Sequence, residues 1–124
     1  MQESPYKSKY GFQRVLNAAR YSIQGLASVC IHEAAFQQEL LLAALLIPTA
    51  LTRPIGGPAK ALLVFSVMLI LIVEVLNSAI EAVVDRVSFE EHPLAARAKD
   101  MGSAAVLLTM MNAVIVWVIV LGSP

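Results

Sequence analysis

Glu74, Asn77, Glu81 and Asp85 follow one another at steps of three, four and four residues. On a helix they fall within an arc of about 80°. Glu74 and Glu81 lie about 10 Å apart along the axis. The thirteen residues before Glu74, from Ala61 to Val73, are apolar except for Ser66. An acid inside a membrane span costs about 2.5–3.5 kcal/mol on insertion scales. Two acids on one face therefore favour a functional site. The competing reading is polar glue, with carboxyls bonding across a helix interface.

Other groups can reach the same level. Glu33 precedes one apolar stretch, and Lys99, Asp100 and Ser103 precede another. Lys99 and Ser103 are one helical turn apart and can share a face. Paired carboxylates bind Mg²⁺ through oxygen ligands, usually with help from substrate phosphates. A lysine offsets phosphate charge, and a carboxylate can take a proton from a hydroxyl. These are parts for phosphoryl transfer from a nucleotide to a membrane alcohol. The usual nucleotide signatures are missing: there is no Gly-x-x-x-x-Gly-Lys-Ser/Thr loop and no kinase His-Arg-Asp or Asp-Phe-Gly triplet. Composition alone does not choose between phosphoryl transfer and a proton-conducting chain of carboxylates.

Positioning these groups falls to long apolar helices. The chain has 124 residues, of which 58% are hydrophobic and 15% charged. Mean hydropathy is +0.72. Soluble domains are typically about 45–50% apolar, so the arithmetic says membrane. The net charge is zero, which gives no support for a nucleic-acid partner. The single cysteine, Cys30, excludes an internal disulfide and a cysteine-cluster metal site. We expect one all-α membrane domain over 1–124. It has an N-terminal segment at 1–31 and spans at 32–53, 59–87 and 93–121, each near the roughly 20 residues needed to cross the hydrocarbon. Pro48 makes the first span the least regular. Residues 1–11 are polar and show no secretory signal pattern. Phe12, Leu16, Ala19, Ile23, Leu26 and Cys30 alternate at steps of four and three, opposite a basic and polar face. That pattern predicts an amphipathic helix lying along the membrane surface.

The segment Thr52–Pro58 reads as a tight turn and Asp85–Pro93 as a charge-dense connection, with Pro93 in the first turn of the next helix. Lys7, Lys9, Arg14 and Arg20, with Arg86, Arg97 and Lys99, flank one membrane side. Only Arg53 and Lys60 flank the other. The positive-inside rule places the N-terminus and second connection in the cytosol and the C-terminus outside. Trp117 reads as an interfacial anchor, and Met101, Met110 and Met111 as packing residues. Cys30 reads as a packed or lipid-facing thiol.

The run Glu74-Val75-Leu76-Asn77-Ser78-Ala79-Ile80-Glu81-Ala82-Val83-Val84-Asp85-Arg86 resembles the signature of the small bacterial integral-membrane diacylglycerol kinases. Ala98-Lys99-Asp100-Met101-Gly102-Ser103-Ala104-Ala105-Val106 and Glu33-Ala34-Ala35-Phe36, with Gln38 and Glu39, resemble two further blocks of that family. The likeness covers roughly residues 11–121. It implies a homotrimer in the bacterial inner membrane, with active sites shared between subunits at the cytosolic interface. It implies MgATP-dependent phosphorylation of diacylglycerol to phosphatidate. By the resemblance Glu74 is the general base, Asn77 supports it, and Glu33 and Glu81 hold the metal. Arg14, Tyr21, Glu33, Glu81, Glu90, His92, Lys99 and Asp100 meet the nucleotide. Arg14, Glu39, Glu74 and Ser103 lie near the lipid.

Two departures stand out. His32 precedes Glu33 where members often have asparagine, and the turn Arg53–Lys60 matches no family pattern. Three rivals remain: a polyprenol kinase of the related undecaprenol branch, a proton- or ion-conducting oligomer using Glu39, Glu74 and Glu81, and a non-catalytic assembly subunit. The Met101–Ala105 segment is more similar to the diacylglycerol branch.

Overall fold

The computed structural model describes residues 11–87 and 89–124. Lys7, Lys9 and the polar start of the chain, like Ser88 in the second connection, lie outside the described residues. Four helices follow in order: α1 (Gly11–His32), α2 (Ala34–Thr52), α3 (Gly57–Val87) and α4 (Pro93–Gly122). Among the described residues there is no strand. The last three helices are long and apolar enough to cross a membrane.

Glu33 breaks α1 from α2 with an extended backbone (φ −115°, ψ 106°) and makes no side-chain cap bond. The last carbonyls of α1 would otherwise lack helical partners. The Gln37 Nε2 donates to Cys30 O at 2.8 Å and to Ile31 O at 3.4 Å. His32 Nδ1 lies 2.9 Å from Ser28 O. His32 thus faces back along its own helix, and Glu33 sits at a braced elbow.

Helix α2 runs through Pro48. Proline has no N–H to give to residue 44, which normally kinks a helix. Two threonines bond locally around the gap: Thr49 Oγ1 donates to Leu45 O at 2.7 Å, and Thr52 Oγ1 to Pro48 O at 2.9 Å. Neither bond reaches the Ala44 carbonyl that the proline leaves free, but both hydroxyls are satisfied within the helix, as a bilayer requires of polar groups. The helix stops at Thr52 because Arg53, preceding Pro54, is forced into extended backbone (φ −71°, ψ 146°). Pro58 then falls within the first turn of α3. His92 caps α4: its Nδ1 accepts the Leu94 N–H at 3.1 Å, and Pro93 follows in the first turn.

α3 packs between α2 and α4, and α1 touches α2 and α3. The buried face of α3 carries Leu63, Ser66, Val67 and Ile70, then continues as Glu74 and Asn77. Against it lie Phe36, Glu39, Ala43 and Ala50 of α2, and Gly102, Val106, Thr109 and Ala113 of α4. Small residues at these positions let the backbones approach, the usual means of packing helices in lipid. Large apolar side chains such as Leu41, Phe65, Leu108 and Val118 are exposed on the outside, as a lipid-facing surface requires. Met101 and Met111 are more than half exposed. Within one chain they do not fill the interior expected of them.

Trp117, expected as an interfacial anchor, also makes a contact inside the bundle. Its Nε1–H donates to Ser66 Oγ at 3.1 Å, across α3 and α4. Ser66 is fully buried and its hydroxyl donates in turn to Leu63 O at 2.7 Å. The indole is thus tied into the bundle nine residues along α3. Ser66→Ala is expected to destabilise the bundle by about 1 kcal/mol. The same change in a Trp117→Phe background should cost almost nothing. Unfolding in mixed detergent micelles measures both, and equal costs in the two backgrounds would refute the bond.

Candidate functional site

The polar groups of α2, α3 and α4 gather at the end of the bundle formed by the elbow and the α3–α4 connection. Glu39 and Glu74 are both buried, at 7% and 6% exposure. Their carboxyls meet in a side-chain hydrogen bond between α2 and α3. The second Glu39 oxygen, Oε2, has no hydrogen-bond partner. Glu33 and Glu81 lie close enough for their charges to act on Glu74. Three carboxylates expected to converge are therefore electrostatically connected, and Glu39 makes a fourth.

Asn77 is one turn from Glu74 and one turn from Glu81, so its carboxamide lies between them along α3. It is buried, and its Oδ1 has no partner. The Ser78 Oγ is likewise buried and unpartnered. Unpaired buried polar atoms are uncommon in native proteins and call for a reason.

Nearer the connection, Lys99 Nζ pairs with Asp85 Oδ1 at 2.7 Å, linking α4 to α3. Glu81 also acts on the Lys99 charge. A cleft of about 680 Å³ opens beside this pair, lined by Asp85, Phe89, Glu90, Glu91, His92 and Lys99 among others. His92, its Nδ1 engaged at the α4 cap, lines the same cleft. Phe89 is almost fully exposed at the same cleft. An apolar side chain in a charged connection carries no periodic signal that would mark it in the sequence.

A second, apolar groove of about 420 Å³ runs along the bundle from Glu39 past Leu42, Leu46, Ile70 and Val114 to Trp117. Glu39, whose carboxyl is turned to Glu74, lines one end, and the ring held by Ser66 lines the other.

Some expected site residues stay apart within one chain. Arg14 and Tyr21 lie on exposed stretches of α1, about 22 Å and 12 Å along the axis from Val29, the buried residue of that helix. The Arg20 guanidinium lies 5.9 Å from the centre of the Tyr21 ring. Asp100 and Ser103 are exposed on α4. Among the described residues, no group of three His, Cys, Asp or Glu side chains could hold a metal ion by itself.

Fold and site together define an all-helical membrane protein with a carboxylate-rich cluster where its spans converge. The prokaryotic diacylglycerol kinase family profile matches residues 20–121. The diacylglycerol kinase of Escherichia coli strain K12 is 52% identical, over 91% of this chain and 93% of its own length. That of Pseudomonas aeruginosa is 46% identical over 98% of each. That of Haemophilus influenzae is 42% identical over 86% of this chain and 91% of its own. The chain belongs to the prokaryotic diacylglycerol kinase family and is a kinase.

Proposed function

We propose that this protein transfers the γ-phosphoryl group of MgATP to the primary hydroxyl of diacylglycerol, giving phosphatidate and ADP. The observation that carries the reading is the placement of Glu74. It lies buried against Glu39, where the apolar groove ends, and its α3 stripe continues to the charged cleft of Asp85 and Lys99. A lipid hydroxyl must reach its base from the bilayer, while a nucleotide must arrive from water. Glu74 stands between an apolar groove beside Glu39 and a charged cleft beside Asp85 and Lys99, which match those two routes.

In the mechanism, an acyl chain lies in the groove toward Trp117 and the glycerol hydroxyl reaches Glu74. The hydroxyl oxygen attacks the γ-phosphorus, Glu74 takes the hydroxyl proton, and the bond to the ADP oxygen breaks. Asn77 fixes the geometry beside the base. Lys99 exchanges Asp85 for phosphate oxygens, and Glu90, His92 and Asp100 hold the nucleotide. Glu33 and Glu81 offer oxygen ligands suited to Mg²⁺, which typically takes one or two carboxylates and completes its shell with phosphates and water. Bound there, the cation would offset the charge on the β- and γ-phosphates.

The cytosolic placement of the N-terminus and second connection rests on the basic-residue asymmetry. It puts the nucleotide cleft on the side that supplies ATP, in the bacterial inner membrane. α1 lies along that surface, with Phe12, Leu16, Ile23 and Leu26 toward lipid; all four are at least half exposed in the single chain. Assembly as a homotrimer with shared sites would bring Arg14, Tyr21 and Ser103 of one protomer to the cluster of another. The exposed apolar faces, and the exposed N-terminal stretch of α1, support such an arrangement.

Purified protein with labelled ATP, Mg²⁺ and either diacylglycerol or a polyprenol in mixed micelles tests the acceptor. Labelled phosphatidate should form, with the polyprenol phosphorylated far more slowly. Faster phosphorylation of the polyprenol would reassign the substrate. Ion flux in proteoliposomes without ATP consumption would replace the kinase mechanism.

A further inference from the structure

We propose that Gly102 is a positioning residue for the reaction: its missing side chain makes the room in α4 that holds the Asn77 carboxamide between Glu74 and Glu81. The role in turnover rests on the lipid-kinase reading above; the contact itself does not.

Glycine inside a helix costs about 0.5–1 kcal/mol relative to alanine. α4 uses alanine freely where it needs a small residue, at Ala95, Ala96, Ala98, Ala104, Ala105 and Ala113. Position 102 therefore has a reason to exclude even a methyl group. Backbone conformation is not that reason, because no glycine in the described residues has positive φ. The reason is contact with α3. A Cβ built on Gly102 would overlap Asn77 Oδ1 and sit 3.2 Å from Asn77 Cγ. The three nearest heavy atoms all belong to Asn77, so the gap serves that side chain.

The packing around this gap carries a second, independent oddity. Asn77 is more than nine-tenths buried, yet its Oδ1 lacks a hydrogen-bond partner. An ordinary buried amide would turn toward a donor. Here the flat carboxamide is pressed against bare α4 backbone, where Cα–H groups are its weak neighbours. Steric confinement holds it in place of a hydrogen bond. Filling the gap would drive the carboxamide along α3, and its neighbours one turn away are Glu74 and Glu81.

The structure also says how to relieve the overlap. With Asn77 cut back to alanine, the nearest atom remaining is Asn77 Cβ, at 3.9 Å from the added methyl, an ordinary contact. Gly102→Ala should thus be harmful only while Asn77 keeps its carboxamide. In the full-length protein, Gly102→Ala is expected to lower kcat by about 10²-fold through misplacement at the reacting centre. KM for ATP and for diacylglycerol should hold. In an Asn77→Ala background the same substitution should leave kcat unchanged. Multiplying losses in the double variant, or full turnover in Gly102→Ala, would overturn the proposal. If Gly102→Ala fails to fold, the double variant should fold; its failure would also overturn the contact. The side-chain amide resonance of isotope-labelled Asn77 reads the contact without activity. It should shift in Gly102→Ala, and a fixed resonance refutes the contact even if the wild type proves not to phosphorylate diacylglycerol.

Discussion

Glu74→Gln is expected to leave a folded protein whose turnover of diacylglycerol falls by about 10²–10⁴-fold, the usual share of a general base. Glutamine keeps the size of the side chain and can still hydrogen-bond across to Glu39, so the α2–α3 packing should survive. What it loses is a lone pair able to take the hydroxyl proton. KM for ATP should therefore change little, because the nucleotide cleft begins further along, at Asp85 and Lys99. Glu39→Gln gives the necessary contrast. Glu39 shares the hydrogen bond and the burial of Glu74, so a purely structural role for the pair predicts equal losses. A base at Glu74 predicts a much larger loss there. Steady-state rates of both variants, with thermal unfolding to confirm folding, decide the matter. Near-normal turnover of Glu74→Gln would end the assignment.

The stripe that singled out Glu74 was legible because helical spacing is local. Steps of three, four and four place side chains on one face in any helix. The structure buries Glu74 and Asn77 in that face and leaves Glu81 and Asp85 half-exposed nearer the connection. The three long helices were legible for the same reason: apolar runs of the right length declare themselves. The pairings between helices were not. Glu39 and Glu74 are thirty-five positions apart, and Trp117 and Ser66 fifty-one. No periodicity links such residues; their meeting depends on how small side chains let α2 and α4 settle against α3. Gly102 stood in a recognised block, but its value depends on Asn77 in another helix. Arg14 and Tyr21 show the opposite limit. The proposal that they stand by the phosphates rests on the family resemblance, and one chain alone leaves them on an exposed stretch of helix.

The proton shared between Glu39 and Glu74 neutralises one acid of the cluster; the charges of Glu33 and Glu81 remain without a paired counter-charge, which argues for a cation, and the second large effect follows from it. Glu33 and Glu81 both act on Glu74, and Glu39 adjoins it. The lysine at this level is already paired with Asp85. Gathering carboxylates without a counter-charge is unfavourable in a medium drier than water. A divalent ion held by Glu33 and Glu81 would relieve the repulsion and reach the nucleotide at once. Glu81→Gln is therefore expected to raise the Mg²⁺ concentration for half-maximal activity. The rise should at least match the about 10–100-fold that losing an outer-shell partner typically costs. Turnover should partly return at saturating Mg²⁺, which separates weakened metal binding from damaged chemistry. Asp85→Asn removes a carboxylate on the same face, one turn further on, already occupied by Lys99. A general loss of negative potential would shift the Mg²⁺ midpoint equally in both variants, whereas a ligand role confines the large shift to Glu81. An unchanged midpoint in Glu81→Gln would remove Glu81 from the metal site and leave its charge to act on Lys99 alone.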